Sequence, residues 1–336
     1  MAAAAVAGGS RGPTRVVVPR EAHGTRLDRF LAAALEGQTP QPLSRSELQQ
    51  WIDGGYVTVG GVSKKPGDRV KEGDTVLLSP PPPRTTQARP DSGVHFEVLY
   101  EDADLVVLVK PAGLVVHPSK GHETGTLVNG LLARGYFDVD QFPGDESPES
   151  PNYGRPGIVH RLDRGTSGVM VVARNPRARE KLRVQFADHT IERRYEAICV
   201  GRPVAKTFDT LHGRHPRDRM KFSTRVKTGK RAVTHVDLME SFALATHVSC
   251  RLETGRTHQI RVHLADGGTP VLGDPLYAKI PRDPALRDLA ASLGRQALHA
   301  RVLGFVHPVT DRWLRFDAAL PTDFQMALSV LRVMPM

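Results

Sequence analysis

Apolar positions near the amino end fall into two helical stripes. Leu27, Phe30, Leu31, Ala34 and Leu35 keep the spacing of one helix face, with Thr25 and Asp28 placed as a capping box and Gly37 as a stop. A second stripe, Leu48, Trp51 and Ile52, starts from Ser44 with Glu47 as its capping partner and ends at Gly54-Gly55. The period then turns from helical to alternating. Tyr56 to Val59 reads as a strand, Gly60-Gly61 as a turn, and Val70 to Leu78 as another short strand. The first structured residues are expected near Gly24, so the pattern predicts a disordered tail over 1–19 and a compact module over 20–79.

Ser79-Pro80-Pro81-Pro82-Pro83-Arg84-Thr85 suits neither helix nor central strand and predicts a semi-rigid linker over 80–93. After Val94 the apolar runs are short. Leu105–Val109, Val169–Ala173, Tyr195–Val200, His247–Leu252 and Leu298–Leu303 predict strands. Asn175–His189 and Thr257–Asp266 predict helices, with Asn175 or Thr257 as N-cap and Pro176 at the first helical position. Several strands per helix predict an α+β architecture over 94–326, not a doubly wound parallel sheet. Asp138 to Tyr153 carries five acidic residues and no basic one, and reads as a surface insertion over 137–154. Residues 327–336 are expected to form a C-terminal tail.

Composition narrows the class. The 336 residues are 40% hydrophobic and 24% charged, the balance of a folded chain. Two cysteines, Cys199 and Cys250, are too few for a disulfide framework and favour a reducing compartment. No apolar run reaches the roughly 18–20 residues a bilayer requires. Met1–Val6 is too short for a signal-peptide core, and no basic residue precedes it. A cytoplasmic location without a membrane partner is therefore expected.

The net charge of +10 is unevenly placed. Arg155 to Arg231 holds 20 lysines and arginines against 7 acidic residues, leaving the rest of the chain at −3. Charge concentrated in this way fits a polyanion, most often nucleic acid.

Fourteen histidines invite a metal, but His258 and His263 are five apart, not four as in helical zinc pairs, and His212 with His215 lacks a supporting thiolate or carboxylate cluster. Thr228-Gly229-Lys230 resembles the end of a phosphate loop, yet Thr224 stands where its first glycine is needed. Neither a metal nor a cofactor is expected.

Three stretches carry chemistry. In Gly157 to Gly168, the lone carboxylate of Asp163 lies between Arg161 and Arg164, neighbours that favour its ionised form and suit it to act as a nucleophile or base on an anionic substrate. In Glu253 to His263, a Thr-Gly turn leads into a helix, where the first amides and Arg256 can hold a phosphate and Arg261 can face a neighbouring loop. Tyr195 is interleaved with Arg193 and Arg194 and can stack on a base.

Taken together these stretches resemble the pseudouridine synthases, in the branch that modifies large-subunit ribosomal RNA and some transfer RNA. The resemblance rests on H-R-L-D-R-G-T-S-G from His160, R-R-Y-E-A-I-C-V-G from Arg193 and T-G-R-T-H-Q-I-R-V-H from Thr254. Lys110-Pro111-Ala112-Gly113, Gly273-Asp274-Pro275-Leu276-Tyr277 and Arg295-Gln296-Ala297-Leu298-His299-Ala300 extend it. Arg26-Leu27-Asp28 and Ser44-Arg45-Ser46 are similar to a small αL-type RNA-binding module. Gly165 departs from the family, which usually has aspartate there.

The resemblance implies a mixed, largely antiparallel sheet flanked by helices, with a cleft across its middle. It also implies a cofactor-free isomerase that flips a uridine out of RNA, breaks its glycosidic bond and rejoins the base through C5. Asp163 then matches the catalytic aspartate, acting by attack on the sugar or by proton abstraction from it. Arg261 matches its pairing arginine, Tyr195 the tyrosine stacked on the target base, and Arg161 the residue filling the gap the base leaves. His160, Arg164 and Arg256 are expected to meet RNA near the cleft, and Arg26, Arg45 and Lys64 to meet phosphates in the module. The expected partner is large-subunit rRNA or an assembling ribosomal particle, met by a monomer. A transfer-RNA target and a non-catalytic RNA-binding or ribosome-assembly factor on the same scaffold are the alternatives.

Overall fold

The computed structural model describes residues 14–35, 45–79, 88–118, 122–136 and 156–335. The expected stop at Gly37, the Ser44–Glu47 cap, the Arg45 side chain, the proline run and the acidic insertion lie outside the described residues. The chain divides into two compact units, 1–85 and 86–336.

In the first unit β1 (Thr14–Val17), α1 (Leu27–Ala34), α2 (Arg45–Asp53), β2 (Val57–Val59), β3 (Val62–Ser63) and β4 (Thr75–Leu78) follow in order. The strands form an antiparallel sheet, β1-β4-β2-β3. Leu27, Leu31, Leu48 and Ile52 of the helices close over Val57 and Val76, the apolar stripe read from the helical spacing. Three expectations change. The chain is already ordered at β1, so the tail does not extend to residue 19. Arg26, not Thr25, is the N-cap of α1, and Asp28 turns from a capping role to receive the Arg26 guanidinium and Gln49. Lys71 to Asp74 forms a turn with Gly73 at φ +80°, so the last strand starts at Thr75 and not at Val70.

The second unit runs β5 (Glu97–Glu101), β6 (Leu105–Lys110), α3 (Leu127–Ala133), β7 (Ser167–Ala173), α4 (Pro176–Ala187), β8 (Glu192–Val200), β9 (Lys206–Arg214), β10 (Phe222–Ser223), β11 (Lys230–Ser241), β12 (Ala245–Leu252), α5 (Gln259–Asp266), α6 (Pro284–Leu293), β13 (Leu298–Val306), β14 (Trp313–Asp317) and α7 (Thr322–Val333). Its ten-stranded sheet is ordered β10-β9-β11-β12-β8-β13-β7-β6-β5, with β14 also on β13. Among the described strands only β13 and β7 pair in parallel, so the α+β, mixed and largely antiparallel sheet is observed. At that seam Gly168 has φ +125°, and a Cβ there would lie 2.2 Å from the Ala300 carbonyl oxygen.

Both faces of β6 and β7 are covered, which is why Leu105–Val109 and Val169–Ala173 are continuously apolar. Val106, Leu108 and Met170 pack under Leu127 and Leu131 of α3, while Val107, Val169 and Val171 face Ala178 and Leu182 of α4. Val248 and Cys250 meet Ile260 and Leu264 of α5. The linker and tail boundaries are both corrected by burial. Ala88 is in the core and Arg89 accepts from Asn129, so residues 88–93 belong to the second unit. Phe324, Ala327, Leu328 and Leu331 are buried, so the chain from 327 continues α7 to Val333.

Candidate active site

The loop before β7 carries Asp163, and α5 with the turn before it carries the groups that meet it. Leu162 is buried and anchors the loop, leaving Asp163 at the rim of a cleft over β12, β8 and β13. Arg161, Asp163, Thr166, Tyr195, Arg256, His258 and Arg261 all line this cleft. Residues almost 100 positions apart therefore converge.

Arg261 is fixed by division of its fork. Nε and Nη2 donate to Asp274 at 2.7 and 2.9 Å, and Nη1 donates to Asp163 Oδ2 at 2.8 Å. Burial alone would depress the guanidinium pKa, but Asp274 and then Asp163 outweigh it and raise it above its ordinary value. Asp274 is itself fully buried and accepts from the amides of Leu276 and Tyr277. The turn is held by Gln259, whose Oε1 accepts from Thr254 Oγ1 and the Arg256 amide, while Nε2 donates to Val233 and Thr234.

On the other side of the loop, Lys110 is completely buried and donates to the carbonyls of Pro111, Leu114 and Arg164. Burial lowers its pKa to about 7, Asp163 acting against that shift. Gly165 allows Gln296 to close in: a Cβ at 165 would lie 2.3 Å from Gln296 Oε1, and Gln296 Nε2 donates to Thr166. Tyr195 forms part of the cleft wall, half-buried, and burial pushes its hydroxyl up to about 12. The hydroxyl therefore stays protonated at neutral pH.

The other expected RNA contacts separate. Arg161 and Arg164 are exposed, and Arg256 is half-buried with Nε on the Arg231 carbonyl. His160 is not at the cleft; its ring stacks on Phe186 and its Nε2 accepts from the Val171 amide. Burial takes its pKa down to about 3, so it is a neutral packing group. In the first unit Lys64 is exposed, whereas Arg26 is engaged by Asp28. His258, not Thr257, is the N-cap of α5, in the left-handed conformation. His263 is buried between the hydroxyls of Thr234 and Thr210. The roles of Asp274, Lys110 and His258 were not drawn from the sequence, although each lies inside a motif noted above.

The RNA pseudouridylate synthase family model matches residues 104–266, and the S4 domain model matches residues 25–76. The chain is 43% identical over 325 residues to ribosomal large subunit pseudouridine synthase D of Xanthomonas campestris pv. campestris, covering 95% of this chain and 92% of that protein. The chain belongs to the RNA pseudouridine synthase family. An uncharacterized RNA pseudouridine synthase of Bacillus subtilis is 40% identical over 319 residues, covering 94% of this chain and 97% of that one. Among solved structures, human RNA pseudouridylate synthase domain containing 4 superposes with a TM-score of 0.52 at 27% identity, covering 71% of this chain and 95% of that chain. The protein is thus an RNA pseudouridine synthase, an isomerase, with an S4 RNA-binding domain at its amino end. No helix among the described residues is long and apolar enough to cross a membrane.

Proposed function

We propose that this synthase isomerises uridines of large-subunit ribosomal RNA, with Asp163 as the catalytic carboxylate, Arg261 holding it and Tyr195 stacking on the flipped base. The observation that carries this reading is the 2.8 Å contact from Arg261 Nη1 to Asp163 Oδ2 in one cleft with Tyr195. The rRNA target is supported by relatives named for the large ribosomal subunit.

Isomerisation breaks the N1–C1′ bond, forms C5–C1′, releases the C5 proton and leaves a proton on N1. No water is consumed, so a single carboxylate suffices, unlike the two needed in glycoside hydrolysis. Asp163 serves that step either by bonding to the sugar or by taking a proton from it. Tyr195, with its hydroxyl protonated, offers a ring face and a donor, not a base. Extrusion of the base costs a few kcal/mol, which stacking and the exposed Arg161 help to offset.

The test uses transcripts of large-subunit rRNA and of transfer RNA, tritiated at uracil C5. Tritium release from the rRNA alone is expected, and its loss in Asp163→Asn. Release confined to transfer RNA would reject the proposed target, and release by Asp163→Asn would reject the assigned carboxylate.

A further inference from the structure

His258 is held in the left-handed backbone region, φ +59°, at the rim of the cleft. Few residues with a Cβ rest there, and such strain gathers at functional sites. Its ring is fixed from behind by a relay. The Phe222 amide donates to Tyr277 Oη at 2.9 Å, and Tyr277 Oη lies 2.8 Å from His258 Nδ1. An amide can only donate, so it occupies a lone pair of the hydroxyl and leaves the hydroxyl proton for Nδ1. This favours Nδ1 as the acceptor, the arrangement in which the neutral ring carries its proton on Nε2. Burial lowers the His258 pKa, which keeps the ring neutral at neutral pH. The Phe222 and Tyr277 rings stand edge-on to the imidazole and fix its plane. Nε2 faces the cleft, 3.9 Å from Asp163 Oδ1, too far for a hydrogen bond. The relay thus aims an N–H donor at the space beside the catalytic carboxylate.

We infer that His258 reads the substrate, donating from Nε2 to a carbonyl oxygen of the extruded uracil. The inference rests on the reading of Asp163 and Tyr195 as the site. It adds a direct contact to the base, set by a tautomer that Tyr277 and Phe222 favour. Uracil offers two carbonyl acceptors, and a site built around a donor rejects analogues that cannot accept.

The test measures single-turnover pseudouridine formation by nucleoside chromatography on rRNA transcripts containing uridine, 2-thiouridine or 4-thiouridine. A thiocarbonyl is the weaker acceptor. In the wild type one of the two thio substrates should react about tenfold more slowly, the scale of one neutral hydrogen bond. His258→Ala should slow the uridine substrate about tenfold and erase that thio penalty, because the contact is already absent. His258→Gln, which keeps an N–H donor, should retain both the rate and the penalty, and Tyr277→Phe should lose part of each. The penalty is a ratio taken on one enzyme, so a partly unfolded variant does not distort it. No thio penalty in the wild type, a full penalty in His258→Ala, or wild-type turnover by His258→Ala would each overturn the proposal. Turnover by Asp163→Asn would instead remove the reading of the site on which it rests.

Discussion

Asp274 grips Arg261 with both carboxylate oxygens and leaves Nη1 for Asp163, so the proposed catalytic carboxylate is held by an arginine that is itself immobilised. Arg261→Lys keeps a charge but has no planar fork to serve two carboxylates. A fall in single-turnover rate of about a hundredfold or more is expected, with RNA affinity within a few fold. Asp274→Ala should behave similarly and also destabilise the second unit by about 3 kcal/mol, since it removes one side of a buried pair. Rate measurements with denaturant unfolding check both. A rate unchanged in Arg261→Lys would show that the fork does not position Asp163.

Gly165 and Gln296 share one space. Gly165→Asp, which restores the usual family residue, must move the Gln296 amide out of the volume a Cβ would take. Gln296 is buried, so a loss of about 1–3 kcal/mol is expected. Gln296→Ala in the same chain should recover most of the Gly165→Asp part of that loss, giving a favourable interaction term in a double-mutant cycle. Independent, additive losses measured by thermal unfolding would contradict the shared-space reading.

What was legible in the sequence follows from packing. β6 and β7 are covered on both faces and are apolar over Leu105–Val109 and Val169–Ala173, and Pro176 behind Asn175 marks the start of α4, where the Asn175 side chain caps Ala178. Asp163, Tyr195, Arg161 and Arg261 lay in motifs and do meet in one cleft. β9, near the sheet edge, was not legible because only His212 in it is buried, and β11 because its short buried run, Ala232 to Thr234 and Val236, is bounded by Lys230-Arg231 and Asp237. The Thr257 cap failed for a different reason. The loop is set by Gln259, whose amide is tied to Val233 and Thr234 of β11, and by Tyr277 from beyond α5, and local capping preference does not register such ties. His160 was misplaced because a histidine beside an arginine in a loop does not reveal that Phe186 lies over its ring.

His160 also gives a pH dependence with a definite sign. Its folded pKa of about 3 lies below the ordinary 6.5, and that of His263, about 4, does too. Between those values the unfolded chain binds more protons, so stability falls as the pH falls from 6.5 towards 3. Above pH 6.5 both contributions are fully present. Thermal midpoints should therefore drop continuously below pH 6.5. His160→Gln can still accept from the Val171 amide but does not titrate, so it should flatten this drop while lowering the midpoint at pH 7 through lost stacking. An equally steep drop in the variant would show that His160 is not one of the groups responsible.

The two-unit division predicts different outcomes for two truncations. Removing residues 1–85 takes away the S4 unit and leaves Ala88 buried, with the Arg89 carbonyl and the Asp91 amide bonded to Asn129 of α3. The remaining unit should fold and isomerise uridines in short transcripts. Its RNA affinity should be lower with a shallower salt dependence, because each lost phosphate contact removes about 0.7–0.9 from the slope of log affinity against log salt. Removing residues 1–93 strips Ala88 and leaves the buried Asn129 amide without the Arg89 acceptor. That variant should lose a further 1–3 kcal/mol or so, since a buried donor is left unsatisfied. Unfolding curves for the two truncations, with binding titrated against salt, test both halves of the claim. Equal stability would show that residues 88–93 are linker after all, and an unchanged salt slope would show that the S4 unit makes no phosphate contacts.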